Sequence, residues 1–384
     1  MRARRIAAAA ALFLSLLLLA LPAARAQEES GLAGLLREET ERLLGEMDLA
    51  PLQEAAQELD VASLLESASQ GGAALPVGEI LSAAGEALAG NLRSLAPRMV
   101  RLVGLAVLSA ALLRLRAVTF GDGAARLLQL MTYLCMALPA AADAANLLQA
   151  GRETTGRMVD LFAALLPTML ALLTAMGGAQ SAAQMQSLGL LATGTLAGFA
   201  QRALFPLLGL AAAVAVVSRL APQIRLTSAG KLLRSMVHWA LGIGFTVFLG
   251  VLTVQGATSA SYDGVTMRAA KYAVDKFVPV IGGAFKDTAD TLVGCSIVVK
   301  NAVGAVGLAG FLLILLGPCA QVLLTIAAYR LCAAAIEPLG AERIAPALQD
   351  FADILTTLFI LMISIGAMFF VFVAALMRMG MGFA

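Results

Sequence analysis

The sequence predicts an all-α, polytopic helical membrane protein, and three observations carry that expectation. The 384-residue chain is 60% hydrophobic and 14% charged, with a mean hydropathy of +0.87, a balance that belongs to membrane proteins. Its apolar residues gather in runs near the roughly 20 residues a helix needs to cross a hydrocarbon core of about 30 Å. Its 36 glycines and 5% aromatic content suit close helix–helix approach in lipid better than a large soluble core. The net charge of +2 conceals an uneven distribution of acids and bases, and that unevenness carries topology.

Residues 1–26 combine Arg2, Arg4 and Arg5, an apolar run from Ile6 to Leu21, and the ending Ala24-Arg25-Ala26. This is the pattern of an export signal cleaved after Ala26, with an uncleaved first anchor as the alternative. From Gln27 to Leu95 there are 13 acidic residues against three basic ones, a net charge of −10, so residues 27–98 form an acidic extracytoplasmic segment. Leu32, Leu35, Leu36, Leu43, Leu44 and Met47 recur at helical spacing, which predicts short amphipathic helices. No Phe, Tyr or Trp occurs between Gln27 and Arg98. The core these helices could build alone is therefore thin, and they are expected to pack on the membrane part or a partner, or to form a loose acidic arm.

Residues 99–384 read as the membrane domain. Candidate crossings are 99–113, 127–148, 161–178, 185–217, 238–256, 297–331 and 354–377. Two of them, 185–217 and 297–331, exceed a simple pass and contain Pro206 and Pro318, so each is either a broken helix or a pair of short passes. The excess of basic residues in cytoplasmic loops places Arg114, Arg116 and Arg126, and also Arg219, Arg225, Lys231 and Arg234, on one side. An even number of crossings must separate the two groups, whereas three candidates lie between them.

A faint internal repeat suggests a resolution. VDLF at Val159 to Phe162 matches VDKF at Val274 to Phe277, and LAGF occurs at Leu196 to Phe199 and Leu308 to Phe311. In the second copy the stretch after Pro279 carries Lys286, Asp287 and Asp290 and is poorly suited to lipid. By analogy 161–178 is expected to be re-entrant or interfacial, which leaves about six passes with both ends outside.

Residues 261–290 balance Arg268, Lys271, Lys276 and Lys286 against Asp263, Asp275, Asp287 and Asp290. They are expected to form an amphipathic segment at the outer membrane face. Lys300 and Asn301 then enter an apolar run, where an ammonium must be paired or reach the interface. Asp287 and Asp290 are its candidate partners, so these residues are candidates for a polar pathway, a subunit contact or an interface anchor. Gly304, Gly307 and Gly310 follow at three-residue spacing and predict close backbone approach between helices.

Catalytic constellations find no support. The single histidine, His238, excludes a multi-histidine metal site. Cys135, Cys295, Cys319 and Cys332 lie apart in apolar surroundings and read as small hydrophobes. No GxxxxGK[ST], HExxH or GxSxG occurs, so nucleotide hydrolysis, zinc proteolysis and hydrolase nucleophiles are not indicated. Tyr262-Asp263 lacks the GxGD partner of an intramembrane aspartyl protease, Thr119 to Asp122 missing its first glycine. The basic loops are short and lack interleaved aromatics for nucleic acid, and no cofactor is expected.

The stretch GVTMRAAKYAVDKFVPVIGGAFKDTADTLVG, at 264–294, followed by VVKNAVGAVGL, at 298–308, resembles the stage III sporulation protein AE family of endospore-forming bacteria. The resemblance covers essentially the chain after residue 26, and that pattern is not a catalytic motif. It implies an integral subunit in the mother-cell membrane around the forespore, within a channel or secretion-like complex needed for late forespore development. It implies partners among the products of the same operon, including a separate ATPase subunit. The competing reading is a self-sufficient transporter or permease, for which only Lys300, Asn301, Arg202 and Asp143 offer a polar lining.

Overall fold

The computed structural model describes residues 122–220, 227–277, 282–339 and 344–379, together with Val100 and Gly104. The expected signal sequence, the acidic segment 27–98 and, apart from Val100 and Gly104, the first expected pass, 99–113, lie outside the described residues. Helix α1 spans Asp122–Ala175 and α2 spans Ala179–Leu190. Two π-helical stretches, Leu191–Ala197 and Ala200–Leu204, lead into α3, Phe205–Leu220. Then come α4, Thr227–Phe277, α5, Gly282–Ile336, a 3₁₀ turn Glu337–Leu339, and α6, Ile344–Arg378.

Among these, five helical segments are long and apolar enough to cross a membrane: Tyr133–Ala175, Ala179–Ser218, Ser228–Gly256, Val293–Ile336 and Ile344–Arg378. They overlap five of the six expected passes. Helices α1, α4 and α5 each run to roughly 75–80 Å at 1.5 Å per residue, well beyond a bilayer of about 40–45 Å with its headgroups. Each therefore continues past the membrane on one side or the other.

The expectation for 161–178 is corrected. Residues 127–148 and 161–175 belong to one unbroken helix, and Leu161, Phe162, Leu165, Met169 and Leu173 are fully buried in its core face. The chain reverses just after this helix. Gly177, at φ 87°, takes a left-handed conformation that a side chain would resist. Its N–H donates to Thr174 O at 2.9 Å, and that of Gly178 to Leu173 O at 3.0 Å. That pair of bonds caps orphan carbonyls and stops the helix.

Helices α2 and α3 then return antiparallel along α1. Gly189 sits against Leu166, Gly156 beside Gln201, and Gly151 against Phe205, and the Tyr133 hydroxyl donates to Val216 O at 3.0 Å. Two helical runs thus separate the basic groups at Arg126 and Arg219, and the parity those groups demand is met without a re-entrant segment. The two copies of the faint repeat differ in context, since Val159–Phe162 lies inside α1 and Val274–Phe277 closes α4. The analogy drawn from the repeat fails for that reason.

Neither proline breaks its helix. Pro318 lies within α5. Pro206 has no N–H to give to Arg202, and its ring crowds that carbonyl. The π-helical register just before it absorbs the mismatch, with the Phe205 N–H reaching back five residues to Ala200 O. Residues 261–277 continue α4 without interruption and 282–290 open α5, so the expected amphipathic segment is divided between two long helices. Its side chains lie outside the described residues.

Helix α6 is the axis of the assembly. Of its most apolar window 67% is buried, against 17% for α4. Phe162 of α1 meets Phe369 at 4.8 Å and Phe372 at 5.0 Å between ring centroids. Phe311 of α5 stacks on Phe369 at 5.7 Å, and Phe248 of α4 on Phe372 at 6.3 Å. Such offset and edge contacts contribute about 0.5–1.5 kcal/mol each beyond area burial, and they converge on one helix from three sides.

Candidate functional site

Polar groups bracket the apolar length of the bundle at two levels. No Asp, Glu, Lys or Arg occurs between Lys300 and Arg330 on α5, or between Asp353 and Arg378 on α6. The first interval is roughly 45 Å along a helix axis, about the full bilayer thickness. The structure ties three of these boundary residues, Lys300, Arg330 and Asp353, across helices.

At one level Lys300 is completely buried, and its ammonium donates to the Met379 carbonyl just past the end of α6. The last carbonyls of a helix have no intrahelical partner and carry the negative end of its dipole. A cation there satisfies both needs. Asp287 and Asp290 lie on the same unbroken α5, roughly 20 and 15 Å along the axis from Lys300, so the direct pairing suggested by sequence is not the arrangement present. Their side chains lie outside the described residues. Asn301 is half-buried and its Oδ1 is enclosed without a hydrogen-bond partner.

Gly304 and Gly307 are buried where α1 and α6 close on α5. A methyl group at Gly307 would come within 2.5 Å of Leu165 Cδ1, and one at Gly304 would strike Met377 and sit 3.2 Å from Met169 Cε. Gly310 is buried on the same helix. The structure therefore gathers Lys300, Gly304 and Gly307 into one three-helix contact.

The second level is a cluster that sequence reading missed. Arg234 of α4 donates from Nη1 to Asp350 O at 3.2 Å and approaches the Asp353 carboxylate at 3.7 Å and that of Asp350 at 4.0 Å. Arg330 of α5 lies 3.8 Å from the other Asp353 oxygen and donates to Thr356 Oγ1 at 3.3 Å. Asp353 thus stands between two guanidinium groups and ties three helices at one point. From the residue beside Arg330, the Tyr329 hydroxyl donates to Asp143 Oδ2 at 3.2 Å, adding α1. In sequence Arg234 served only as a topology marker, and Arg330 was assigned no role. The available signal was Asp350, Asp353 and Thr356, spaced by three at the entry of the last apolar run.

Apolar helices of bilayer length, joined by buried polar contacts at two depths, define a polytopic helical membrane protein. The sequence profile described as stage III sporulation protein AE (spore_III_AE) matches residues 59–380, and the chain belongs to that family. It is 35% identical over 228 residues to the stage III sporulation protein AE of Bacillus subtilis (strain 168), an alignment covering 59% of this chain and 57% of that relative. The chain thus spans little more than half the length of the curated relative it matches. No solved structure matches it.

Proposed function

We propose that this protein is an integral membrane subunit of a sporulation stage III channel or secretion-like complex that links mother cell and forespore and is required for late forespore development. Its seat would be the mother-cell membrane around the forespore. The other stage III proteins of the same operon would be its partners, among them a separate ATPase subunit that supplies energy. The observation that carries this reading is family membership across residues 59–380. The site geometry agrees with it, because Lys300, Arg234, Arg330 and Asp353 are engaged in holding helices together rather than set around a substrate. A cavity bounded by Tyr133, Met136, Ile344 and Phe351 has a volume of about 10 Å³, room for one water and too small for a solute.

The test is deletion and complementation in an endospore-forming host. Loss of the chain is expected to arrest sporulation after engulfment and silence late forespore reporters, and the tagged protein is expected to co-purify with its operon partners, ATPase included. Full complementation by a protein that retains no operon partner, with solute uptake by the purified protein in liposomes, would replace the subunit reading with the transporter.

A further inference from the structure

One face of the bundle is at odds with its depth. Met158 of α1 packs beside Gly366 of α6, as does Leu315 of α5. Leu315 is midway between Lys300 and Arg330, and Gly366 is near the middle of the uncharged run of α6. The level of Met158 is therefore the middle of the apolar slab. On either side of Met158, Arg152, Glu153, Arg157 and Asp160 are all exposed. Among the described residues none of the four makes an ion pair, and the hydrogen bond from Gln149 Nε2 to Glu153 Oε1 at 3.0 Å is their recorded polar contact. Asn146 and Gln149 extend the same exposed face by two turns.

Ionised side chains at mid-bilayer face other protein or water, not acyl chains. We propose that this face of α1 is covered by a second copy of the chain, so that the working unit in the membrane is an oligomer. The occupant follows from charge and symmetry. Copies inserted in the same orientation are related by an axis along the membrane normal, and equivalent residues then sit at equal depth. Arg152 and Glu153 are adjacent, and Arg157 and Asp160 lie within one turn. Each arginine of one copy accordingly has a carboxylate of the other within one helical turn of its own level, with two positive and two negative charges on each side. The inference rests on depth and chemistry and is independent of the complex to which the subunit belongs.

The test uses the full chain in native membranes, with its four cysteines replaced. Asn146→Cys and Gln149→Cys are introduced singly and oxidised, with Ile243→Cys on the outward face of α4 as control. A disulfide-linked homodimer from either α1 position, at least tenfold above the control, is expected. Arg152→Glu with Arg157→Glu should abolish the cross-link, and co-expression with a copy carrying Glu153→Arg and Asp160→Arg should restore it between the two versions. A monomeric mass in nanodiscs with no homodimer cross-link, or a cross-link to another polypeptide in its place, would overturn the proposal. Rescue between charge-reversed copies also separates a lost interface from a misfolded chain.

Discussion

The outward faces of α1 and α4 contrast sharply, although both helices are apolar overall. Along α4 the exposed large hydrophobic residues are Leu232, Met236, Trp239, Ile243, Val247 and Val254, with Trp239 70% exposed. Their spacing of three, four or seven residues places them along one apolar stripe. Along α1, from Ala142 to Ala175, no large hydrophobic residue is exposed, and the outward positions are Asn, Gln, Arg, Glu, Asp, Ala, Pro and Thr. One stripe is built for lipid and the other for protein or water at the same depth. Total hydropathy says that a helix enters the membrane; the outward face says what it meets there.

The sharpest way to break this contrast is to exchange the two surfaces. Ile243→Arg should cost roughly 2.5–3.5 kcal/mol in membrane insertion, read as loss of inserted chain in a glycosylation-mapping assay. Arg157→Leu on α1 should insert at least as well as the parent while weakening assembly. Next in size is Asp353→Ala, which leaves Arg234 and Arg330 facing each other without their shared carboxylate. Thermal unfolding in detergent should show a loss of about 1–3 kcal/mol, and Asp353→Asn should recover little of it. Gly307→Leu drives a side chain into Leu165 and should cost about 1–3 kcal/mol, whereas Gly250→Ala on α4 meets nothing within 4 Å and should be neutral in the same assay. Lys300→Met should have the smallest effect, about 1 kcal/mol for one hydrogen bond exchanged for an apolar tip, seen as faster amide exchange confined to the last turn of α6.

The fold class and the places of five crossings were legible because apolar runs are local in sequence. Helix continuity was not. Pro206 and Pro318 read as breaks, yet both lie inside helices, and the reversal occurs instead at Gly177, where a left-handed backbone needs glycine. Gly304 and Gly307 were readable as contact points because small residues at helical spacing have few other uses in lipid. Partners of the charged residues were unreadable, since Arg234, Arg330 and Asp353 are brought together only by the way α4, α5 and α6 pack. For Lys300 the sequence offered nearby carboxylates, and the structure supplied a backbone carbonyl from the far end of another helix. No pattern of side chains announces such a partner.

The central position of α6 carries a consequence for how the molecule is made. This helix follows every other described helix along the chain, yet α1, α4 and α5 all complete their packing against it. While the ribosome is still producing it, the earlier helices have no axis to close on. Arg234 and Arg330 then stand without their carboxylates, and Lys300 without the carbonyl it caps. Biogenesis therefore passes through an incomplete bundle whose polar groups at both boundaries of the apolar slab still lack their partners. A chain cut short before Ile344 would lack every one of these partners, so the last described helix completes the polar pairing of those that precede it.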